Sequence, residues 1–202
     1  MERRELLHPR KVMRVMNDFI NEIHTLTYET MELPPTLSEF DDDIDKWFEA
    51  FRNAPTHICP CVGKVKKDKV CCAHTGDFVF DEDETFVIGM NIEELFSYGG
   101  KQFRQDFVRR CPMGRGFADV TITLLHELGH FSAQQEFDGY DREEGLRKVR
   151  ELAPYFRNFA YFQLPDEKSA TDWAIEWLND PEHRKIAKAF EKKFFACFKK
   201  RG

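Results

Sequence analysis

The chain has 202 residues, of which 33% are charged, and its formal net charge is −6. This balance predicts a protein that stays in solution and argues against one that coats nucleic acid, because such a protein needs a basic surface. No apolar run approaches the length of a membrane span, and residues 1–9 lack the apolar core of a signal peptide. We therefore expect a cytoplasmic protein with reduced cysteines, no membrane partner and no nucleic-acid partner.

The N-terminal part of the chain predicts two amphipathic helices. Residues 10–32 carry apolar side chains at helical spacing, and Pro34-Pro35 stops the pattern. The second helix begins at Thr36, whose capping-box partner is Glu39. Its apolar stripe consists of Phe40, Ile44, Trp47, Phe48 and Phe51. We interpret both stripes as core-forming.

A Cys-rich stretch follows these helices. Residues 62–70 alternate in polarity and predict a hairpin that turns near Lys67-Asp68. The hairpin would bring together five candidate ligands of a structural zinc ion, namely Cys59, Cys61, Cys71, Cys72 and His74. The alternatives are small buried hydrophobic residues, or a disulfide in an oxidising compartment.

Two further strands and a pair of helices are predicted next. The strands are residues 77–80 and 85–91, joined by the acidic turn 81–84. After them, Gly99-Gly100 is predicted to separate a helix that ends near Tyr98 from a polar helix at residues 102–110. These glycines and those at residues 114–116 are candidates for the hinges of a lid, and ordinary turns are the alternative.

The segment from Thr121 to Phe131 contains a His-Glu-x-x-His pattern within an apolar helical run. His126 and His130 lie four residues apart, so their imidazoles point the same way from a helix and can bind one ion. Glu127 falls beside that ion, where it can take a proton from an activated water. Gly129 indicates that another element approaches the helix closely. The alternative is a core helix whose two His are satisfied by hydrogen bonds.

A catalytic zinc site needs a third protein ligand, and the best candidate is Glu167. It lies in the first turn of a second predicted helix, on a face where Ala170 and Ala174 would allow another helix to come near. The alternative is a first-turn Glu that the helix dipole favours. Between the two helices, Asp141 and Glu144 form a capping box, and the aromatic stretch 155–162 follows.

Together these residues resemble the gluzincin metallopeptidases, and within them the small ImmA/IrrE type found in bacteria, phages and mobile elements. The pattern is His126-Glu127-x-x-His130, then Glu167-x-x-Ala170 and Trp173-Ala174. The resemblance implies a compact thermolysin-like (zincin) fold and peptidase activity, commonly against a transcriptional repressor or another regulatory protein.

The chain departs from that family at two places. Gln134 stands where many members carry another His. Thr171 stands where gluzincins often place an Asp or Asn that supports a zinc-bound His, and Asp172 is next to it. Thr171 and Asp172 are therefore the candidates for that supporting contact.

Two further roles are expected around the zinc. The resemblance suggests that the strand before the His-bearing helix pairs with extended substrate, a role for Phe86, Val87, Ile88, Gly89, Met90 and Asn91, although an ordinary sheet strand is the alternative. Tyr155 and Tyr161 are candidates for stabilising an oxyanion, and otherwise belong to the core.

The sequence thus predicts one α+β domain over residues 1–202, mostly helical, with a small antiparallel sheet before the zinc helix. Its parts are N-terminal helices to residue 56, a Cys-rich hairpin at 57–76, a catalytic core at 77–180 and a C-terminal helix at 181–202. That last helix is predicted to start with Asp180 as cap and to run through Phe198.

The expected function is zinc-dependent hydrolysis of a protein or peptide, with one catalytic zinc ion held by His126, His130 and Glu167, and Glu127 as the base. A second, structural zinc belongs to the Cys-rich hairpin. The alternative function is a non-catalytic regulator or adaptor that uses a zinc-stiffened fold to bind a protein or nucleic-acid partner. The sequence makes no prediction of oligomeric state.

Overall fold

A computed structural model describes residues 4–6, 9–24, 57–63, 73–80, 83–91, 98–132 and 139–200. Its helices are α1 (Pro9–His24), α2 (Tyr98–Arg110), α3 (Asp119–Ser132), α4 (Arg142–Glu151), α5 (Pro154–Tyr161), α6 (Pro165–Asn179) and α7 (Pro181–Phe195), with a 3-10 turn at Pro112–Gly116. Its strands are β1 (Arg4–Leu6), β2 (His57–Gly63), β3 (Ala73–Phe80), β4 (Asp83–Asn91) and β5 (Phe198–Lys200). The predicted helix at residues 36–51 lies outside the described residues.

Helix α3 is the centre of the helical core. Every residue from Val120 to Gly129 is buried, because α6 packs along one side of the helix and α2 and α7 also contact it. Helix α1 completes the core by packing on α7, where the rings of Phe19 and Phe190 stack with centroids 4.2 Å apart. A helix that is buried on all sides must place any polar side chain against a partner.

The predicted helix starts are confirmed where caps are described. Asp141 precedes α4 and accepts a hydrogen bond from the Glu144 main-chain N–H at 3.1 Å. Asp180 precedes α7 and accepts from the Glu182 N–H at 2.7 Å. Carboxylates at these positions satisfy amides that have no partner within the helix.

The predicted end of the C-terminal helix is wrong. Helix α7 ends at Phe195, and Phe198 lies in β5, where it stands opposite Leu6 of the antiparallel strand β1. Phe198 continues the helical spacing of Phe190 and Phe194, but β1 offers its backbone a hydrogen-bonded ladder instead. That partner comes from the other end of the chain, so local spacing does not reveal it.

The predicted fold class, a thermolysin-like α+β domain with a small antiparallel sheet, is wrong. Strand β4 lies between β2 and β3, pairing parallel with β2 and antiparallel with β3, so the sheet is mixed. Among the residues whose side chains are described, 85% are helical. The two predicted strands at 77–80 and 85–91 do pair with each other, within β3 and β4.

The described ends of the predicted Cys-rich hairpin at 57–76, strands β2 and β3, do not pair with each other. Cys61 of β2 and His74 of β3 both stand opposite Gly89, one on each side of β4. Two strand spacings, about 9.5 Å, therefore separate the backbones that the hairpin was expected to bring side by side. Because Cys71 and Cys72 lie outside the described residues, the structural zinc stays a prediction.

The central place of β4 also contradicts the substrate role predicted for residues 86–91. Phe86 pairs with both Ile58 and Asp77, and Met90 pairs with both Val62 and Ala73. Strand addition needs an edge whose N–H and C=O groups are unpaired. Both edges of this strand already carry a partner, so the segment is an ordinary sheet strand, which was the stated alternative.

The predicted hinge at Gly99-Gly100 is also wrong. Both glycines lie in the first turn of α2, which runs without interruption from Tyr98 to Arg110. Residues 92–97, which contain most of the helix predicted before the two glycines, lie outside the described residues.

None of the helices in the described part of the chain combines the length and the apolar character needed to cross a bilayer.

Candidate metal centre

The centre is built where α3 and α6 touch backbone to backbone. A Cβ atom placed on Gly129 of α3 would lie 2.3 Å from the carbonyl oxygen of Ala170 in α6 and 2.8 Å from its Cα. Ala170 and Ala174 are fully buried at this contact. The close approach predicted from these small residues is therefore present, and it brings the first turn of α6 beside His126 and His130.

Three potential ligand atoms converge at this contact. The Nε2 atom of His126 lies 3.1 Å from Oε2 of Glu167 and 3.2 Å from Nε2 of His130. The third side of the triangle, from His130 Nε2 to Glu167 Oε2, measures 3.5 Å. The structure thus brings together the three residues predicted as ligands, and it is the one such group found in the described part of the chain.

The spacing of the three atoms matches what a zinc ion requires. Tetrahedral zinc binds nitrogen and oxygen ligands at about 2.0 to 2.2 Å, which places neighbouring ligand atoms about 3.3 to 3.6 Å apart. The three observed separations lie at or slightly below that range. Three protein ligands leave the fourth position open, as catalytic zinc sites do.

A hydrogen bond to Thr171 sets the tautomer of His126. The Thr171 hydroxyl donates its one proton to the main-chain oxygen of Glu167 at 2.9 Å, so its oxygen accepts from the Nδ1–H of His126 at 3.0 Å. In the neutral ring, the Nε2 atom of His126 is then the unprotonated nitrogen, which is the atom that a metal ion would bind.

The second oxygen of Glu167 has different partners. The Tyr161 hydroxyl donates to Oε1 at 2.5 Å, and Nη2 of Arg142 donates to the same atom at 3.1 Å. Glu167 is only 1% exposed. The two His lie beside one oxygen of this carboxylate, and two hydrogen-bond donors contact the other oxygen. The buried negative charge therefore has polar partners on both sides.

These contacts shift the pKa values of the cluster. Burial acts to raise the pKa of Glu167, but hydrogen bonds with His126 and His130 outweigh it and hold that pKa well below its usual range. Burial acts to lower the pKa of His130, yet its hydrogen bond with Glu167 and the charges of Glu127 and Glu167 raise the value above 6.5. Burial, followed by the charge of Glu167, raises the pKa of Tyr161, which therefore stays a neutral donor.

Glu127 lies at the same centre. It is 7% exposed, and its negative charge acts on both His130 and Tyr161. The charges that act on His130 are those of two carboxylates, Glu127 and Glu167, and of one guanidinium, that of Arg142, so negative charge predominates around this ring. A divalent cation is favoured in such surroundings.

The start of α3 is fixed by distant side chains. The carboxylate of Glu191 in α7 accepts hydrogen bonds from the main-chain N–H of Ala118 and from the Thr121 hydroxyl, the latter at 2.9 Å. On the other side, Arg104 of α2 pairs with Asp119 at 2.8 Å. A carboxylate at the N-terminus satisfies free amides and complements the helix dipole, so these contacts set where the His-bearing helix begins.

Two other predicted residues have different outcomes. Asp172 points away from the centre, because its carboxylate pairs with Arg110 and with Lys168, and its side chain is 50% exposed. The side chain of Tyr155 lies outside the described residues.

Sequence reasoning missed Arg142, which contacts both Glu167 and Asp166. The capping box at Asp141 was a usable signal, since it places the next residue in a first helical turn between the two ligand-bearing helices. Glu191 was also missed, and its long-range contact with α3 has no local signature.

In comparisons of the chain with protein-family models, curated proteins and solved structures, no match was found in any of the three.

Proposed function

We propose that the protein is a zinc-dependent metallopeptidase that uses His126, His130 and Glu167 as ligands. The observation that carries the proposal is the convergence of two imidazole nitrogens and one carboxylate oxygen at separations of 3.1, 3.2 and 3.5 Å. The Nδ1–H of His126 donates to Thr171, which leaves Nε2 as the ring atom available to a metal ion, and the lowered pKa of Glu167 keeps its carboxylate ionised.

The residues of the chain would divide the work of hydrolysis between them. When bound, zinc lowers the pKa of its water and polarises the carbonyl of the scissile peptide bond. Glu127 lies near the proposed ligands but is not itself one of the three residues that converge. Its carboxylate is therefore available as a base that takes a proton from water and passes it to the leaving amine. Thr171 keeps His126 in the tautomer that presents Nε2.

The substrate class follows from the resemblance to the ImmA/IrrE peptidases. On that basis we propose a regulatory protein, such as a transcriptional repressor, as the substrate, in a phage, a mobile element or a bacterial host. We also propose a cytoplasmic location. Within the described residues, Cys111 and Cys197 are both free thiols, which is the state expected in a reducing compartment.

Metal analysis combined with peptide cleavage tests the proposal. Zinc per chain is measured for the wild type and for His126→Ala, Glu167→Ala and Glu127→Gln. The two ligand variants should each lose one zinc ion relative to the wild type, and Glu127→Gln should lose none. Because the readout is a difference, zinc held by the Cys-rich stretch does not affect it.

Cleavage is measured by mass spectrometry of a complex peptide mixture. Glu127→Gln should lower the rate of cleavage by about 10²- to 10⁴-fold, the usual contribution of a general base. Glu176→Gln changes an exposed Glu of α6 in the same way and should cleave as the wild type does. Wild-type protein that binds no zinc contradicts the proposal, and undiminished cleavage by Glu127→Gln contradicts its catalytic step. Zinc binding with no cleavage of any peptide would favour the adaptor function instead.

A further inference from the structure

We propose that Tyr161 and Arg142 are positioning residues that hold Glu167 so that only its Oε2 atom faces the two His. This inference rests on the proposed function, because it concerns how the third zinc ligand is presented. It also gives Tyr161 a different role from the oxyanion donor expected from the sequence.

The division of contacts between the two carboxylate oxygens carries the inference. Oε1 accepts hydrogen bonds from Tyr161 at 2.5 Å and from Arg142 at 3.1 Å, while Oε2 lies 3.1 Å from Nε2 of His126. A carboxylate can bind zinc through one oxygen or through both. Donors that occupy Oε1 turn the carboxylate plane and leave one oxygen for the metal, which keeps the site four-coordinate.

The phenol of Tyr161 has only one proton to donate. The Tyr161 hydroxyl gives that proton to Glu167, and an oxyanion formed during hydrolysis would have to compete with a buried carboxylate for it. Glu167 is 1% exposed, so removing this donor would leave part of a buried charge unsatisfied. The hydroxyl is therefore committed to the ligand.

Neighbouring contacts fix Arg142 itself. Its guanidinium pairs with Asp166 as well as with Glu167, and Asp166 in turn accepts a hydrogen bond from the Tyr140 hydroxyl at 2.8 Å. Arg142 is the first residue of α4, and Tyr161 is the last residue of α5. The connected pair α4 and α5 thus holds Glu167 from outside the contact between the two ligand-bearing helices.

Tyr161→Phe and Tyr140→Phe form a matched pair for the test. Each removes one tyrosine hydroxyl that donates to a carboxylate in the first turn of α6, but only the first touches the ligand. Zinc affinity is measured by competition with a chelator, and the Co²⁺-substituted protein is examined by visible absorption, which reports the ligand geometry. The melting temperature of the metal-free protein is measured alongside.

Tyr161→Phe should weaken zinc binding by about 10- to 100-fold and change the Co²⁺ spectrum, as loss of a hydrogen bond to a metal ligand generally does. Tyr140→Phe should weaken zinc binding less than Tyr161→Phe does, because the Tyr140 hydroxyl reaches Glu167 only through Asp166 and Arg142. If Tyr161→Phe lowers the melting temperature of the metal-free protein, Arg142→Gln, at a side chain that is 49% exposed, provides the second measurement and should also weaken zinc binding.

The outcomes separate this inference from the proposed function. Wild-type protein that binds no zinc overturns both. If the wild type binds zinc, and Tyr161→Phe and Arg142→Gln bind it equally tightly with the same Co²⁺ spectrum, the positioning role alone is overturned. Equal losses in Tyr161→Phe and Tyr140→Phe would also overturn it, because the effect would then be general to the hydroxyl network.

Discussion

Replacing Gly129 by Ala tests the close contact between α3 and α6, because two effects of opposite sign compete there. In an isolated helix the change would stabilise by about 1 kcal/mol. In the protein, the new methyl group would lie 2.3 Å from the carbonyl oxygen of Ala170, and the atoms it meets are backbone. Reaching ordinary contact requires the helices to part by about 1 Å, and such overpacking costs about 1 to 3 kcal/mol.

We therefore expect Gly129→Ala to be less stable than the wild type by about 1 to 2 kcal/mol, since the cost near the top of that range exceeds the gain in propensity. Zinc binding should suffer more. Metal–ligand distances tolerate a change of about 0.2 Å, and a shift of about 1 Å between Glu167 and the His pair is about five times larger.

Urea denaturation of the metal-free protein and chelator competition measure the two effects of Gly129→Ala. Gly116→Ala is the control, because its Cβ would meet nothing within 4 Å. If Gly129→Ala equals or exceeds the wild type in stability and in zinc affinity, the backbone contact does not hold the ligands together as argued.

Three further predictions concern the surroundings of the ligands. Thr171→Val removes the acceptor for the Nδ1–H of His126 and should weaken zinc binding about 10- to 100-fold in chelator competition, whereas Thr171→Ser should restore it; equal affinities of the Val and Ser variants would contradict this. Glu191→Ala removes the carboxylate at the start of α3 and should lower the free energy of unfolding in urea by about 2 kcal/mol, while the exposed Glu176→Ala should not. A neutral Glu191→Ala would show that water satisfies those groups. The pKa of His130 is raised above 6.5, so in the metal-free protein its contribution to stability is complete below pH 6.5 and is lost as the pH rises through the raised value. Zinc must displace that proton, so its affinity should rise with pH through the same window by about tenfold per pH unit, and a flat profile would exclude this coupling.

The cluster of His126, His130 and Glu167 was largely predictable because most of its geometry is local. The spacing of His126 and His130 within one helix sets their relative direction without reference to the rest of the chain. Glu167 was found through its place in a first turn beside small residues, and Gly129 marked the surface that those residues meet. Arg142 was not predicted, because its contact with Glu167 depends on how α4 packs beside α6. The spacing of apolar residues along the sequence does not determine that packing.

The sheet was not predictable for a related reason. Alternation of polarity identified the strands at 77–80 and 85–91, but it does not say which strand lies beside which. The shortest connection suggested that β2 would fold back on β3, whereas β4 lies between them. Phe198 shows the same limit, since its spacing fits the helix before it and only the distant residue Leu6 accounts for its strand.

The contact between Glu191 and the start of α3 has a consequence for biosynthesis. Helix α3 is synthesised before α6 and α7, so a nascent chain that ends before residue 165 contains the two His without the Glu167 carboxylate and without the Glu191 carboxylate that contacts the start of their helix. The proposed zinc site is therefore complete only after both later helices have been made and have packed on α3. A chain truncated just before α7 would keep all three proposed ligands but would lack the carboxylate that contacts the start of the His-bearing helix.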